Sequence, residues 1–216
     1  MTSLSDIQEQ KKVYLIEING SGQNINRLET LGFVPGTEIT VLQNAGRGPM
    51  VVTIKGSKIA LGRGMAHRIQ VAETREQQME TRLYAQDSEL KRTKQRDVIL
   101  KVISGLEGHQ TTEEIAEAVK KQDASIGMTT VYRTLKIFEE AHLIRALTLE
   151  DGITRYELVG GSHAHFICLG CGDIIEFAGK DLHIFEQKIA SQHQVRVERS
   201  KLEMYGYCSR CNLKKG

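Results

Sequence analysis

The sequence predicts a mixed α and β, multidomain chain built from a small β-barrel, a winged helix-turn-helix and a small α/β domain. Three observations carry this. Short β-branched runs with glycine punctuation fill about residues 12–72, helical apolar spacing ending in a hairpin fills about 90–158, and a Gly160-Gly161 pair opens a last segment holding all 4 cysteines. The expected domains are 1–73, 90–158 and 159–216, with a linker over 74–89.

In the first segment, Val13–Ile18 is a mostly apolar, β-branched run, and Thr37–Gln43 alternates with Ile39 and Val41 on one face. Met50–Ile54 and Lys58–Leu61 flank Lys55-Gly56-Ser57, a hairpin signal, and only Asn26–Leu31 reads as helical. Residues 73–89 lack Gly and Pro and are rich in Glu and Gln, which reads as a solvated spacer, helical at most. The barrel ahead of it is expected to be separable by a cut near Gln86.

In the third segment Val98, Leu100, Val102, Ile103 and Leu106 form an apolar stripe. Thr111-x-x-Glu114 is a capping box, opening a helix with Ile115, Ala116 and Val119. Thr129 is expected to cap the next helix, which carries Val131, Leu135 and Phe138 on one face. Ile144–Glu150 and Ile153–Leu158 then flank Asp151-Gly152, a type I′ hairpin signal. In the last segment strand-like stretches His163–Cys168, Asp173–Phe177 and Arg196–Tyr205 surround one helix, Leu182–Gln192.

Composition excludes several classes. Met1–Gln10 is polar and carries no secretory signal, and no apolar run approaches the ~18 residues of a membrane span, so the cytoplasm is expected and no membrane partner. The net charge of +2 gives no general affinity for nucleic acid, so any DNA-binding face must come from local clustering. Cytosolic cysteines are rarely paired as cystines, which favours metal.

Cys168-x-x-Cys171 and Cys208-x-x-Cys211 are two thiolate pairs on tight turns, the arrangement that closes a tetrahedral zinc site. Gly170 and Gly172 let the chain bend around the first pair. Four sulfurs leave no open position, so such a zinc is structural; an iron–sulfur cluster and four unrelated thiols are the alternatives. His163-x-His165 puts two imidazoles on one face of a strand, with His109, Glu157 and Glu176 as candidate partners, although a lone His or Glu is usually just solvated. Lys91-Arg92-Thr93-Lys94-Gln95-Arg96 opens a helix with four cations and no acid. Thr130, Tyr132, Arg133 and Lys136 lie away from the Val131/Leu135/Phe138 stripe, as a recognition helix requires. The alternative is an ordinary solvated helix face.

On these residues a resemblance rests. IGMTTVYRTL at 126–135, RYEL at 155–158, HAHFICLGCGDIIEF at 163–177 and YGYCSRC at 205–211 make residues 90–213 similar to the ferric uptake regulator family. RLETLGFVPGTEITVL at 27–42 and GPMVVTIKGSKIALGRGMAHRIQV at 48–71 make residues 13–71 similar to the FeoA family of small SH3-like barrels. The first resemblance implies a winged-helix domain joined to a dimerisation domain, hence a homodimer that binds double-stranded operator DNA and represses genes when its metal is bound. It implies that Cys168, Cys171, Cys208 and Cys211 hold structural Zn2+, and that His109, Glu157, His163, His165 and Glu176 hold the regulatory metal. Tyr132 and Arg133 match base-reading residues, and Lys91 a residue that enters the minor groove.

Peroxide sensors of the family carry aspartate in place of Glu176 and zinc sensors cysteine in place of Glu157, so the resemblance implies Fe2+, with Zn2+ or Mn2+ as possible substitutes. A further metal site of many members would fall on Ser162, Ala164, His183 and Ser200, of which only His183 is a good ligand, so two metals per subunit are expected. A cation joining donors on either side of Gly160-Gly161 would fix the spacing of the recognition helices. Against an enzyme, such as a zinc hydrolase using His163, His165 and Glu157, stands the absence of an H-E-x-x-H motif or a nucleophile elbow. An adaptor acting through the N-terminal barrel is a third class, which the basic Lys91–Arg96 cluster argues against. The partner of that barrel is left open.

Overall fold

The computed structural model describes residues 1–20, 23–86, 90–148, 152–159, 163–178, 180–195 and 202–212. The chain divides into two compact units, Met1–Gly161 and Ser162–Gly216.

The first unit begins with β1 (Thr2–Ser3), a 3-10 turn, β2 (Lys12–Ile18), α1 (Gln23–Thr30), β3 (Glu38–Gln43), β4 (Met50–Ile54), β5 (Ser57–Leu61), α2 (Arg63–Ala66) and β6 (Ile69–Ala72). The strands form one sheet in the order β1-β6-β2-β3-β4-β5. Alternation explains the pairing: Val13, Leu15, Ile39, Val41, Val52 and Ile54 point to one face and close a core with Phe33 and Ile69. The sequence reading missed β1, α2 and β6. Strand β1 lies in the polar N-terminus, and α2 is a single turn between glycine-flanked segments.

The segment expected to be a solvated spacer is instead α3 (Arg75–Gln86), a packed helix. Thr74 Oγ1 accepts from the Gln77 amide at its start. Met79 and Leu83, four residues apart and therefore on one face, are 2% and 1% exposed and sit in a core with Ile99, Ile103, Ile115 and Phe138. The same helix packs against β2 and β6 of the N-terminal sheet. Arg75 lies over the Tyr14 ring, 5.1 Å from its centroid. The helix is thus shared between both halves of the unit, and a cut near Gln86 would strip two residues from the second core.

Next come α4 (Lys94–Ser104), β7 (Gln110–Thr111), α5 (Thr112–Gln122), α6 (Met128–Glu140), β8 (Ile144–Thr148) and β9 (Thr154–Leu158). The strands pair in the order β7-β9-β8. Helix α4 starts later than the basic run suggested, because Thr93 Oγ1 accepts from the Arg96 amide and caps the helix at Lys94. Lys91 and Arg92 therefore precede it. The Thr111–Glu114 capping box is formed in both directions. Thr129 does not cap α6: Gly127 does, its carbonyl accepting from Thr130 and Val131, so Thr129 lies inside the first turn. Residues 149–151 of the expected hairpin turn lie outside the described residues.

The second unit holds β10 (His163–Cys168), β11 (Ile174–Ala178), α7 (Lys180–His193), β12 (Glu203–Gly206) and α8 (Ser209–Asn212). Its sheet runs β11-β10-β12, with β10 antiparallel to β11 and parallel to β12. The expected strand start at Arg196 lies outside the described residues. Among the described residues no helix is long and apolar enough to cross a membrane.

Candidate functional site

The four cysteines converge. Cys168 ends β10, Cys171 follows in the turn, Cys208 precedes α8 and Cys211 lies within it, and all four sulfurs fall within 4.8 Å of one another. The parallel pairing of β10 with β12 makes this happen, since the register Cys168↔Gly206 brings the two Cys-x-x-Cys turns to the same end of the sheet. Cys171 and Cys208 Sγ are 3.8 Å apart. A tetrahedron with Zn–S near ~2.3 Å has edges of roughly 3.8 Å. The donor set therefore fits zinc.

Backbone amides prepare the site. The Cys208 amide donates to Cys168 Sγ at 3.2 Å. That bond outweighs burial and, with the Gly170 and Cys171 amides, lowers the Cys168 thiol to about 6. The Cys171 side chain beside it, with burial, pushes Cys211 up to about 12. The Cys211 amide lowers the Cys208 thiol in the same way as the Cys208 amide lowers Cys168. Arg210 pairs with Asp173, tying α8 to the β10–β11 turn.

The two glycines here have different roles. Gly172 adopts a φ of 72°, which favours glycine. Gly170 is required by space: a Cβ there would lie 2.9 Å from both Cβ and Sγ of Cys211.

A second set of expected donors is divided between the units. In the first, β7 pairs with β9 in the register Gln110↔Tyr156, which brings His109 level with Glu157. His109 Nε2 lies 3.1 Å from Glu157 Oε2, and the two side chains are 5% and 4% exposed. Arg145 stands directly opposite Glu157 on β8, its Nη1 3.3 Å from Glu157 Oε1. Sequence reading missed Arg145. In the second unit His165 is buried, and the register sets Glu176 across from it and Ala178 across from His163. The side chains of His163 and Glu176 lie outside the described residues.

Of the positions where the resemblance would put a further site, Ala164 is fully buried and offers no donor atom. Ser162, Ser200 and the His183 side chain lie outside the described residues.

On α6, Tyr132, Arg133 and Lys136 are exposed and Thr130 is half-buried, while Val131, Thr134, Leu135 and Phe138 face the core. Lys91 is exposed ahead of α4. Its neighbour Arg92 is held by α3, paired with Glu80 and lying 4.7 Å from the Tyr84 ring centroid.

A helical segment closed by a strand pair, followed by a sheet that carries a thiolate quartet, defines a protein equipped to bind metal. The sequence model of the Ferric uptake regulator family matches residues 87–205, and that of the FeoA domain matches residues 2–73. The chain belongs to the Ferric uptake regulator family and carries an FeoA domain at its N-terminus. The ferric uptake regulation protein of Campylobacter upsaliensis is 38% identical over 128 residues, 58% of this chain and 82% of that protein. The peroxide operon regulator of Bacillus subtilis is 34% identical over 122 residues, 56% of this chain and 84% of that protein. Among solved structures, the Helicobacter pylori ferric uptake regulator, which has three functional metal binding sites, superposes with a TM-score of 0.56 at 28% identity. That match covers 63% of this chain and 93% of the other.

Proposed function

We propose that this chain is a metal-responsive, sequence-specific DNA-binding repressor of iron-homeostasis genes, acting in the cytoplasm as a homodimer and not as an enzyme. In this reading β1–β6 form an SH3-like barrel, α4–α6 with the β8–β9 hairpin form a winged helix-turn-helix, and the second unit is the dimerisation domain. Helix α6 enters the major groove, with Tyr132 and Arg133 on base edges, Thr130 and Lys136 beside them, and Lys91 on the phosphate backbone or minor groove.

The observation that carries the metal part is the buried pair of His109 and Glu157, at 3.1 Å, ahead of and behind the α5–α6 segment. A carboxylate withdrawn from water is costly unless something cationic is provided for it. Two nitrogen and oxygen donors on the reader, with His163, His165 and Glu176 of the second unit, supply a mixed set that suits Fe2+, Mn2+ or Zn2+. The thiolate quartet holds structural Zn2+, whose bonds clamp β10 to α8 and whose binding energy is folding energy. The metal's contribution at the mixed set is charge and fixed coordination. The chain's own residues would couple that to the presentation of α6.

Glutamate at 157 and at 176 favours iron over the zinc- and peroxide-sensing readings. The Bacillus subtilis relative keeps a peroxide sensor as the second reading. The experiment is metal analysis of protein purified without oxygen, then selection of bound duplexes from a random-sequence DNA pool with Fe2+, Mn2+ or no added metal. Enrichment of one sequence family only with Fe2+ supports the proposal. Enrichment that ignores added metal refutes it.

A further inference from the structure

We propose that Arg145 is the counter-cation of the metal-free regulatory site, competing with the incoming metal for Glu157 and so setting the metal concentration at which the protein responds. The inference rests on the reading of Glu157 as a metal ligand and adds a residue to it.

The geometry is specific. Arg145 and Glu157 are direct partners across the β8–β9 pair, so their side chains leave the sheet on the same face. Each carboxylate oxygen has a neighbour here: Oε2 faces His109 Nε2 at 3.1 Å, and Oε1 faces Arg145 Nη1 at 3.3 Å. Glu157 is buried, whereas the Arg145 side chain is 27% exposed. An arginine in that position has a flexible apolar stem and a head that can move to water without disturbing the strand. Glu157 has no such route to water, because its side chain is only 4% exposed, against His109 on one side and Arg145 of β8 on the other.

Charge balance then distinguishes two roles. Without metal, Glu157 needs a cation, and its neighbour across the strand pair supplies one. With metal, a guanidinium and a divalent cation would both lie against one carboxylate, and like charges a few ångströms apart repel. One role follows from this competition: Arg145 stabilises the metal-free protein and weakens metal binding. The opposite role is an orienting one, in which Arg145 holds the carboxylate in its ligating rotamer and strengthens metal binding, as outer groups around metal ligands often do. The geometry favours competition, since the guanidinium already faces Glu157 Oε1 and a cation held between His109 Nε2 and Glu157 would set a second positive charge against the same carboxylate.

The test is isothermal titration of the zinc-loaded full chain with Mn2+, together with thermal unfolding of the same protein before Mn2+ is added. Arg145→Met keeps the apolar stem and removes the charge. It should lower the melting temperature of the Mn2+-free protein and tighten Mn2+ binding on the order of tenfold, discounted for partial exposure. Arg145→Lys restores a cation and should return both values toward the wild type. A merely structural role would lower stability without tightening Mn2+ binding. Unchanged or weaker Mn2+ binding in Arg145→Met therefore overturns the inference. Glu157→Gln separates the two levels of the argument. If it abolishes Mn2+ binding while Arg145→Met does not tighten it, only the role of Arg145 is lost. If Glu157→Gln leaves Mn2+ binding intact, the ligand assignment itself is wrong.

Discussion

Replacing Leu83 by alanine measures whether the helix between the two halves of the first unit is part of a core. Leu83 is 1% exposed and packs in the cluster of Met79, Ile99, Leu100 and Phe138. The substitution removes roughly three carbon groups at about 0.8 kcal/mol each, or about 2.4 kcal/mol of transfer free energy. The residual cavity adds to this, which places the total within the ~2–5 kcal/mol of buried Leu→Ala changes. A leucine on a solvated spacer would change stability by no more than about 0.5 kcal/mol, so the two accounts differ well beyond experimental error. The assay is urea unfolding of the full chain, followed by helical circular dichroism at fixed zinc. An upward shift or no shift in the midpoint would refute the packing argument. A loss under about 1 kcal/mol would show that α3 is peripheral to the core.

Other predictions concern the sites. Gly170→Ala should lower bound zinc to well under one equivalent, because its methyl group meets Cys211 Sγ at 2.9 Å; elemental analysis reads the outcome, and full zinc retention would contradict the crowding. Cys168→Ser should lose zinc and reduce the thermal stability of the second unit, since site formation and folding are coupled. Arg133→Ala should cost about 1–3 kcal/mol in DNA affinity, and Lys91→Ala should lower the salt slope by about 1, measured by fluorescence anisotropy across salt concentrations. Metal titration of zinc-replete protein should find one further tight site per subunit, abolished by His163→Ala and untouched by His183→Ala; a tight site that depends on His183 would contradict this.

Features written locally in the chain are legible from the residues alone. The Thr111–Glu114 capping box depends on residues three apart, and the stripe of Val131, Leu135 and Phe138 on one helix face; both are present in the fold. The paired cysteines carry their spacing with them, and the fold brings the pairs together. What is not legible depends on distant partners. Gly170 reads as a turn residue until Cys211 arrives from α8. Arg145 reads as an ordinary strand arginine until the β8–β9 register places Glu157 opposite. The α3 helix misleads for a different reason: its signal, Met79 and Leu83 at helical spacing with Tyr84 beside them, is thin within a run of Glu and Gln. Gly127 displaces Thr129 as the cap because an extended backbone at 127 starts the helix two residues earlier.

The central claim is that metal at His109, Glu157, His163, His165 and Glu176 and DNA at α6 are coupled. Thermodynamic linkage tests it most directly: Mn2+ affinity of the zinc-loaded protein with and without a selected duplex, and duplex affinity with and without Mn2+. The account predicts that each ligand tightens the other by the same factor, roughly 5–150-fold, and that Glu157→Gln reduces that factor to one. Equal affinities with and without the second ligand in the wild-type protein would contradict it.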